Sequence, residues 1–341
     1  MNYFLNEDAI ETIFHASSTK CYILVGAVAE IKTEVMNFIA TYLKDNMIYF
    51  DCILSPNNFD NIVSIIIKEK SLIFVDGNYF NCFSSKYPLL SQNIINLDEI
   101  IDKDGLNLQK EKIMSLADKK SLFLGRAERF KIGSRKVKEN NAENILPYVD
   151  KAKILNYCSR LLIRKKLSIT DKKGELTKRS ISSITPWGIH TLYGSVAIYN
   201  EVIVIDDDEG LISALLLNGL KTAFLECGID VIAIYCGLTG KIEHLAIPSL
   251  STCFFTKNSN HPYPFKSKSI ISAKRFVDAN GVLKTKQKMK INKKIYEEFL
   301  DEAVFSMFEA FEIDSEISKI YYNCISGEKL QKVKFDILDL L

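Results

Sequence analysis

The sequence predicts an α/β protein in which mainly parallel sheets lie between layers of helices. Continuous apolar runs that fit buried strands, such as Cys21–Val25 and Leu72–Val75, alternate with segments whose apolar residues recur at helical spacing. This alternation is typical of parallel sheets covered by helices on both faces. A strand–loop–helix pattern at Cys21–Met36 recurs at Val202–Leu217. The 341 residues suffice for two such domains, since one domain usually takes about 100–200 residues.

The first half, residues 1–165, begins with alternating strands and helices. Its apolar runs predict three strands, at Cys21–Val25, Met47–Asp51 and Leu72–Val75. A helix is expected to start near Thr33, because apolar residues recur every three to four positions up to Leu43. The pattern of Phe59–Ile67 fits either a short helix or a strand. From about 97 to 141, apolar residues at helical spacing among many charges predict a helical insertion, formed by an antiparallel pair.

The second half, residues 166–341, repeats this order. A basic and polar stretch at Lys165–Arg179 marks the predicted boundary. The strands predicted after it are Val202–Ile205, Val231–Tyr235 and Thr252–Phe255, with a helix at Ile212–Glu226. An amphipathic helical appendage at about 291–341 corresponds to the insertion of the first half. The repetition predicts a tandem duplication in which Thr33 corresponds to Ser213.

Composition and charge argue against some classes of partner and indicate a cellular compartment. The net charge of +2 gives no electrostatic reason to expect a nucleic acid or a membrane as partner. No apolar run reaches the roughly 20 residues that a membrane-spanning helix needs. The N-terminal stretch carries acids and no basic region, so no signal peptide is expected. The 8 cysteines are scattered without C-x-x-C spacing or proximity to the histidines in sequence. We therefore expect reduced thiols in a cytoplasmic protein, with neither a disulfide framework nor a zinc site.

The loop after the first strand contains most of a phosphate-binding P-loop, G-x-x-x-x-G-K-[ST]. Gly26, Lys32 and Thr33 occupy the first Gly, Lys and Ser/Thr positions. In this motif backbone N–H groups surround a phosphate, the lysine neutralises its oxygens and the hydroxyl binds Mg²⁺. Asp76 ends a neighbouring strand and is a second candidate ligand for Mg²⁺. The sequence therefore predicts ATP or GTP with Mg²⁺ as the cofactor of the first half, bound by these four residues.

Two residues of this loop depart from the motif. Ile31 stands where the second glycine is required, and β-branched residues resist the left-handed backbone region. Glu30 adds a negative charge beside the expected triphosphate. The alternative interpretation is an ordinary strand–helix turn with a solvated Lys32 at the start of the helix.

The loop of the second half departs further. Leu211 and Ile212 take the second Gly and Lys positions, and four acids, Asp206 to Glu209, replace the phosphate cradle. Four carboxylates repel a triphosphate, so we expect a solvated acidic turn favoured by the helix dipole. The corresponding strand end, Phe255-Thr256, carries no acid. His244 and His261 follow in the sequence. His261 could reach the ligand edge of the sheet, but ordinary structural hydrogen bonds are the expected role of both histidines.

Several segments give the chain a resemblance to a known family. They are Lys86-Tyr87-Pro88, Asn93–Asp98, Ser183–Gly188, Lys241–Pro248 and His261-Pro262-Tyr263. On these the chain resembles a largely uncharacterised bacterial family built from two tandem P-loop NTPase-like halves. The resemblance covers nearly the whole chain. It implies two three-layer α/β/α sandwiches, each with a helical appendage. Typical members are expected to bind ATP or a related nucleotide and to be ATPase-like or nucleotide-kinase-like. This chain departs from the family at both phosphate loops.

These observations lead to two functional hypotheses. The first is a degenerate, catalytically weak or inactive member that acts as a binding or interaction protein, with residual nucleotide binding in the first half. Its partners would be a nucleotide and an unidentified protein. The alternative is an active ATP-dependent enzyme, an ATPase or nucleotide kinase, that uses only the loop of the first half. No catalytic residue is identified under either hypothesis.

Overall fold

A computed structural model describes residues 1–5, 19–79, 92–265, 267 and 269–341. The chain forms two compact units, each assembled from separate stretches of sequence. Unit 1 comprises Met1–Ala127, Thr185–Trp187 and Val304–Leu341, and unit 2 comprises Glu128–Ile184 and Gly188–Ala303. Each unit thus takes residues from both of the predicted halves, 1–165 and 166–341. The segment Lys86-Tyr87-Pro88, on which part of the resemblance depends, lies outside the described residues.

Unit 1 contains a six-stranded sheet in the order β1-β3-β4-β5-β2-β6. Its strands are β1 Asn2–Phe4, β2 Lys20–Val25, β3 Asp51–Leu54, β4 Ile62–Ile67, β5 Leu72–Asp76 and β6 Gln92–Asn96. The central strand β4 is antiparallel to both neighbours, and the other pairs are parallel. The sheet is therefore mixed but mainly parallel, and the segment whose pattern left helix and strand open forms β4.

Unit 2 contains a second six-stranded sheet, in the order β7-β11-β12-β13-β10-β14. The strands described after β6 are β7 Leu176–Arg179, β8 Ser182–Thr185, β9 Gly188–Thr191, β10 Glu201–Asp206, β11 Val231–Tyr235, β12 Ile242–Ile247, β13 Thr252–Lys257 and β14 Ser269–Ser272. Strands β8 and β9 form a separate two-stranded sheet. Strand β12 is antiparallel to β11 and β13, whereas the remaining pairs of the large sheet are parallel.

The two large sheets correspond strand for strand. Reading β7, β11, β12, β13, β10 and β14 as β1, β3, β4, β5, β2 and β6 gives the same order and the same directions. Even an irregularity recurs at the same place. The register of β3 shifts between Ile53 and Leu54, and that of β11 shifts between Ile234 and Tyr235. Positions at the edges of the two sheets can therefore be compared residue by residue.

Helices follow the strands in both units. They are α1 Ala29–Asp45, α2 Lys103–Leu108, α3 Lys110–Ile145, α4 Lys151–Arg164, α5 Gly194–Ala197, α6 Leu211–Glu226, α7 Ala279–Leu283, α8 Lys286–Tyr322 and α9 Gly327–Leu338. Short 3-10 helices lie at Lys68–Lys70, Gly77–Tyr79, Leu97–Ile100, Leu146–Tyr148, Pro248–Leu250 and Ala273–Phe276. Helix α9 packs against α1, and α4 packs against α6. No helix among the described residues is long and apolar enough to cross a membrane.

Three predicted elements differ from the structure, one in the number of helices and two in where the element begins. The predicted antiparallel pair at about 97–141 is mainly the single helix α3, because no proline interrupts it. The strand expected at Met47–Asp51 instead begins at Asp51, since Met47 leaves α1 with a left-handed φ of 57°. The helix expected near Thr33 begins at Ala29, because Ala29 to Lys32 are all compatible with a helix and no glycine interrupts them.

Candidate functional site

The loop that follows β2 in unit 1 is shorter than a P-loop. Gly26 and Ala27 take left-handed φ values of 74° and 51°, and α1 begins two residues after Ala27. Lys32 and Thr33 consequently belong to the first two turns of the helix. The side chain of Ile31 is fully buried. The backbone that a P-loop wraps around a phosphate is here part of the helix.

The structure brings two of the predicted site residues together. Strands β2 and β5 are neighbours, with Leu24 paired to Asp76, and the Lys32 side chain extends from α1 to the end of β5. The Lys32 Nζ–Asp76 Oδ1 distance is 2.6 Å, and the two residues are 0% and 2% exposed. Asp76 Oδ1 also accepts a hydrogen bond from the Asn78 N–H at 2.9 Å. The solvated Lys32 of the alternative interpretation is therefore wrong, because the ammonium is sealed in a buried ion pair.

A carboxylate of the chain itself lies against the loop. Asp98, from the 3-10 helix after β6, accepts a hydrogen bond from the Ala27 N–H at 3.1 Å. A Cβ atom at Gly26 would lie only 2.3 Å from Asp98 Oδ1. Glycine is therefore required at position 26 both for its backbone conformation and for this close approach. The Ala27 N–H of the loop is therefore already hydrogen-bonded to a carboxylate of the chain itself.

A cavity of about 420 Å³ lies beside this loop in unit 1. Four asparagines are among its lining residues, namely Asn57, Asn58, Asn61 and Asn78. Among the described lining residues Lys120 is the sole cation, and it pairs with Asp314. At the same edge burial raises the pKa of Glu30, whose carboxylate accepts a hydrogen bond from the Ser318 hydroxyl. The cavity therefore offers amide groups rather than free positive charge.

The corresponding edge of unit 2 lacks the ion pair. The pattern of buried residues along α1 agrees best with that along α6 when Lys32 is matched with Ser213. Strand pairing matches Asp76 with Thr256, which lies opposite Ile205 in β10. The predicted correspondences of Thr33 with Ser213 and of Lys32 with Ile212 are therefore displaced by one residue, because a sequence pattern cannot fix helix rotation. Two small hydroxyl residues thus replace a lysine and an aspartate.

The acidic loop of unit 2 is only partly solvated. Asp206 and Asp208 are exposed, as expected, but Asp207 is 6% exposed. Asp207 Oδ2 accepts a hydrogen bond from the Ser213 N–H at 2.7 Å, which satisfies a donor in the first turn of α6. Burial raises the pKa of Asp207. The expectation of a wholly solvated acidic turn is therefore wrong for this residue.

A cluster of polar side chains lies at this edge, centred on Cys236 after β11, Glu243 in β12 and His261 after β13. His261 Nε2 lies 2.7 Å from Glu243 Oε1, and Glu243 Oε2 accepts a hydrogen bond from the Ser182 hydroxyl at 3.0 Å. His261 Nδ1 lies 3.1 Å from Thr191 Oγ1. The Cys236 sulfur completes the group, and its distances to the nearest ligand atoms of Glu243 and His261 are within 4.8 Å. Glu243 and His261 are buried, and Cys236 is half-buried.

Charge pairing decides the protonation of Glu243 and His261. Burial alone would raise the pKa of Glu243, but the adjacent His261 outweighs it and lowers the pKa. Burial alone would lower the pKa of His261, but the Glu243 carboxylate raises it to about 10. In the absence of a bound cation the two residues therefore form a buried ion pair. His261 does reach the ligand edge of the sheet, as the sequence suggested.

His244 has the structural role that was expected. Its Nδ1 accepts a hydrogen bond from the Thr256 N–H at 3.0 Å, and its ring stacks on Phe255 with centroids 4.0 Å apart. Burial lowers the pKa of His244 to about 3. The ring is therefore neutral, and because Nδ1 is an acceptor its proton lies on Nε2. That atom is 3.7 Å from Glu243 Oε2.

Sequence reasoning did not select Cys236, Glu243 or Thr256 as site residues. One signal was present, because Glu243 and His244 interrupt the otherwise apolar strand β12, all of whose residues are buried. A charged residue in such a strand requires a partner. No family model, curated protein or solved structure matches the chain. The resemblance to tandem P-loop proteins therefore stays a prediction.

Proposed function

We propose that this chain is a degenerate, catalytically inactive NTPase-like protein. It acts by binding an unidentified protein partner rather than by hydrolysing a nucleotide. The observation that carries the proposal is the buried Lys32–Asp76 pair. In an active P-loop enzyme the lysine faces phosphate oxygens and the acid helps to hold Mg²⁺. Here the two groups neutralise each other inside unit 1.

The free energy of separating buried charges favours the Lys32–Asp76 pair over contact between Lys32 and a nucleotide. Removing one partner of a buried ion pair costs about 3–5 kcal/mol, because the other charge stays in a poorly solvating environment. A nucleotide would have to compensate this cost before Lys32 could reach a phosphate. The Asp98 carboxylate, hydrogen-bonded to Ala27, adds repulsion at the same loop. Both effects oppose triphosphate binding.

The matching sheets support an origin by duplication of a P-loop-type half. The same strand order, directions and register shift recur in both units. Each phosphate loop has since diverged by a different route: one is closed by an ion pair, and the other has small hydroxyl residues and an acidic turn. The cytoplasmic location, the three-layer form of each half and an unidentified protein partner belong to the same proposal.

Calorimetric titration with Mg·ATP and Mg·GTP tests this proposal. We expect no saturable binding at millimolar nucleotide and no phosphate release above that of buffer. Saturable micromolar binding that is lost in Thr33→Val and kept in the exposed control Thr41→Val would overturn it. Circular dichroism of each variant shows whether a loss reflects unfolding instead.

A second candidate is the ATP-dependent enzyme that uses unit 1 alone. Its support is local: the N-cap residue Val28 makes no side-chain capping bond, so no N-cap side chain occupies the amino end of α1, the end of a helix that favours an anion. The 420 Å³ cavity adjoins them. In this candidate Gly26, Lys32 and Thr33 contact the nucleotide, and Thr33 and Asp76 hold Mg²⁺. Phosphate release that depends on Lys32 and is stimulated by Mg²⁺ would favour it.

A further inference from the structure

The cavity at the edge of unit 2 contains three side chains that are common ligands of transition metals. Cys236, Glu243 and His261 offer a sulfur, a carboxylate oxygen and an imidazole nitrogen, with these atoms within 4.8 Å of one another. All three line a cavity of about 60 Å³. A tetrahedral ion with bonds of about 2.0–2.3 Å needs ligand atoms roughly 3.3–3.8 Å apart. Small side-chain adjustments would meet that requirement.

The surrounding residues orient the ligands as they do in metal sites. The Thr191 hydroxyl contacts His261 Nδ1, so the opposite nitrogen, Nε2, is the one directed at the cluster. The Ser182 hydroxyl fixes one oxygen of Glu243 and leaves the other facing His261. Such outer partners hold the geometry of ligating histidines and carboxylates. They come from β8 and β9, outside the segments that supply the ligands.

A further polar atom in the cavity is without a partner. Thr256 is 1% exposed and is among the residues that line the cavity, and its Oγ1 has no hydrogen-bond partner among the described residues. Buried hydroxyls are normally satisfied, and an orphaned one indicates a water or ligand. The cavity is large enough, because a single water needs only about 10–15 Å³ measured in the same way.

We propose that Cys236, Glu243 and His261 form a binding site for a zinc-class divalent cation, with a fourth coordination position open to the cavity beside Thr256. The ligand set distinguishes the class of metal. A thiolate and an imidazole select zinc or a similar transition metal, whereas magnesium and calcium require oxygen ligands. Three protein ligands with one open position is the arrangement of zinc sites that accept water or a substrate group.

Metal titration of the 341-residue chain tests the site. The protein is first dialysed against a chelator and then titrated with Zn²⁺ in competition with a chromophoric chelator. We expect one equivalent bound with a submicromolar Kd. Titration with Co²⁺ should give the near-ultraviolet charge-transfer band of a cobalt–thiolate bond, which reports the Cys236 sulfur directly.

Matched variants separate this site from adventitious binding. Cys236→Ser should weaken Zn²⁺ binding at least 100-fold and abolish the cobalt–thiolate band. Thr191→Val should weaken it about 10–100-fold through the orientation of His261. Cys324→Ser removes another half-buried thiol, in unit 1, and should change neither measurement.

Thermal unfolding shows whether each variant is folded and whether Zn²⁺ stabilises it. Zn²⁺ should raise the melting temperature of the wild type and of Cys324→Ser, but not that of Cys236→Ser. Binding weaker than about 1 µM, or a cobalt–thiolate band that persists in Cys236→Ser, would overturn the proposal. Equal affinity in wild type and Cys236→Ser would do the same.

Discussion

The carboxyl edge of the sheet in unit 1 and that in unit 2 stand on the same arrangement of strands but are filled by different chemistry. In unit 1, Lys32 and Asp76 neutralise each other in the interior. In unit 2 the matching positions carry Ser213 and Thr256, which line a cavity. The register of β4 and β12 further places Glu243 where unit 1 has Val63.

The difference shows that the same arrangement of strands can hold either a buried ion pair or a cluster of ligand-type side chains at its carboxyl edge. A long lysine and an acid fill the space at the first edge with a self-contained ion pair. Short hydroxyl side chains leave space at the second, where a glutamate, a histidine and a cysteine converge. The sequence that matches more of the phosphate-loop motif therefore lies at the edge with the buried ion pair, and the edge that matches less of it has the cluster of ligand-type side chains.

The largest expected effect comes from breaking the ion pair of unit 1. Lys32→Met leaves Asp76 buried without its partner and should lower the free energy of unfolding by about 3–5 kcal/mol. The double variant Lys32→Met/Asp76→Leu should recover much of this loss, because no unpaired charge remains. Urea unfolding of both single variants and the double variant measures the coupling.

Two controls sharpen this first comparison. Lys44→Met, at an exposed position of the same helix, should change stability by less than about 0.5 kcal/mol. Thr256→Val, at the position that matches Asp76, should be close to neutral because its hydroxyl has no partner among the described residues. A loss below 1 kcal/mol in Lys32→Met would show that the pair does not hold the edge closed.

A smaller difference is expected between the glycines of the two loops. Gly26 and Gly210 have similar left-handed φ values, 74° and 71°. A methyl group at Gly210 meets nothing within 4 Å, whereas one at Gly26 meets the Asp98 carboxylate. Gly210→Ala should cost only the backbone strain, about 1–2 kcal/mol. Gly26→Ala adds a steric conflict and should cost about 2–5 kcal/mol in total.

Chemical denaturation of the two alanine variants tests that ranking. The addition of Asp98→Ala to Gly26→Ala should relieve the conflict with the carboxylate but not the 2.9 Å approach to the Asp98 backbone nitrogen, so the cost should fall only part of the way toward that of Gly210→Ala. Equal losses in the two single variants would mean that Asp98 does not press on the loop of unit 1.

The smallest effect is a pH dependence at the acidic turn of unit 2. Burial raises the pKa of Asp207, so its charged form is disfavoured in the folded state. Its contribution to stability is complete below the unfolded pKa and is lost as pH rises through the folded pKa. Asp207→Asn does not titrate. We therefore expect the stability of the variant relative to wild type to improve from acidic to neutral pH.

Unfolding curves collected across that pH range measure this difference. Asp208→Asn is the matched control, because Asp208 is exposed in the same turn, and its relative stability should stay flat. A relative stability of Asp207→Asn that falls with rising pH would contradict the direction of the Asp207 pKa.

Much of the secondary structure followed from hydrophobic periodicity. Strands β2, β5, β11 and β13 and helix α6 lie within a residue or two of their predicted positions. The order of elements in the two halves was also visible in the sequence. The antiparallel direction of β4 and β12 was not, because an apolar run has the same pattern in either direction.

The sequence by itself determined which segments are apolar, where they repeat and which residues match the phosphate-loop motif. These properties are local, since they depend on neighbours within one or two turns. Only the tertiary structure decided that α1 begins early enough to turn Lys32 toward Asp76. It also brought Cys236, Glu243 and His261 together, because the end of β11, the start of β12 and the segment after β13 lie at one edge of the sheet. Such contacts depend on strand order and register, which no short stretch of sequence encodes.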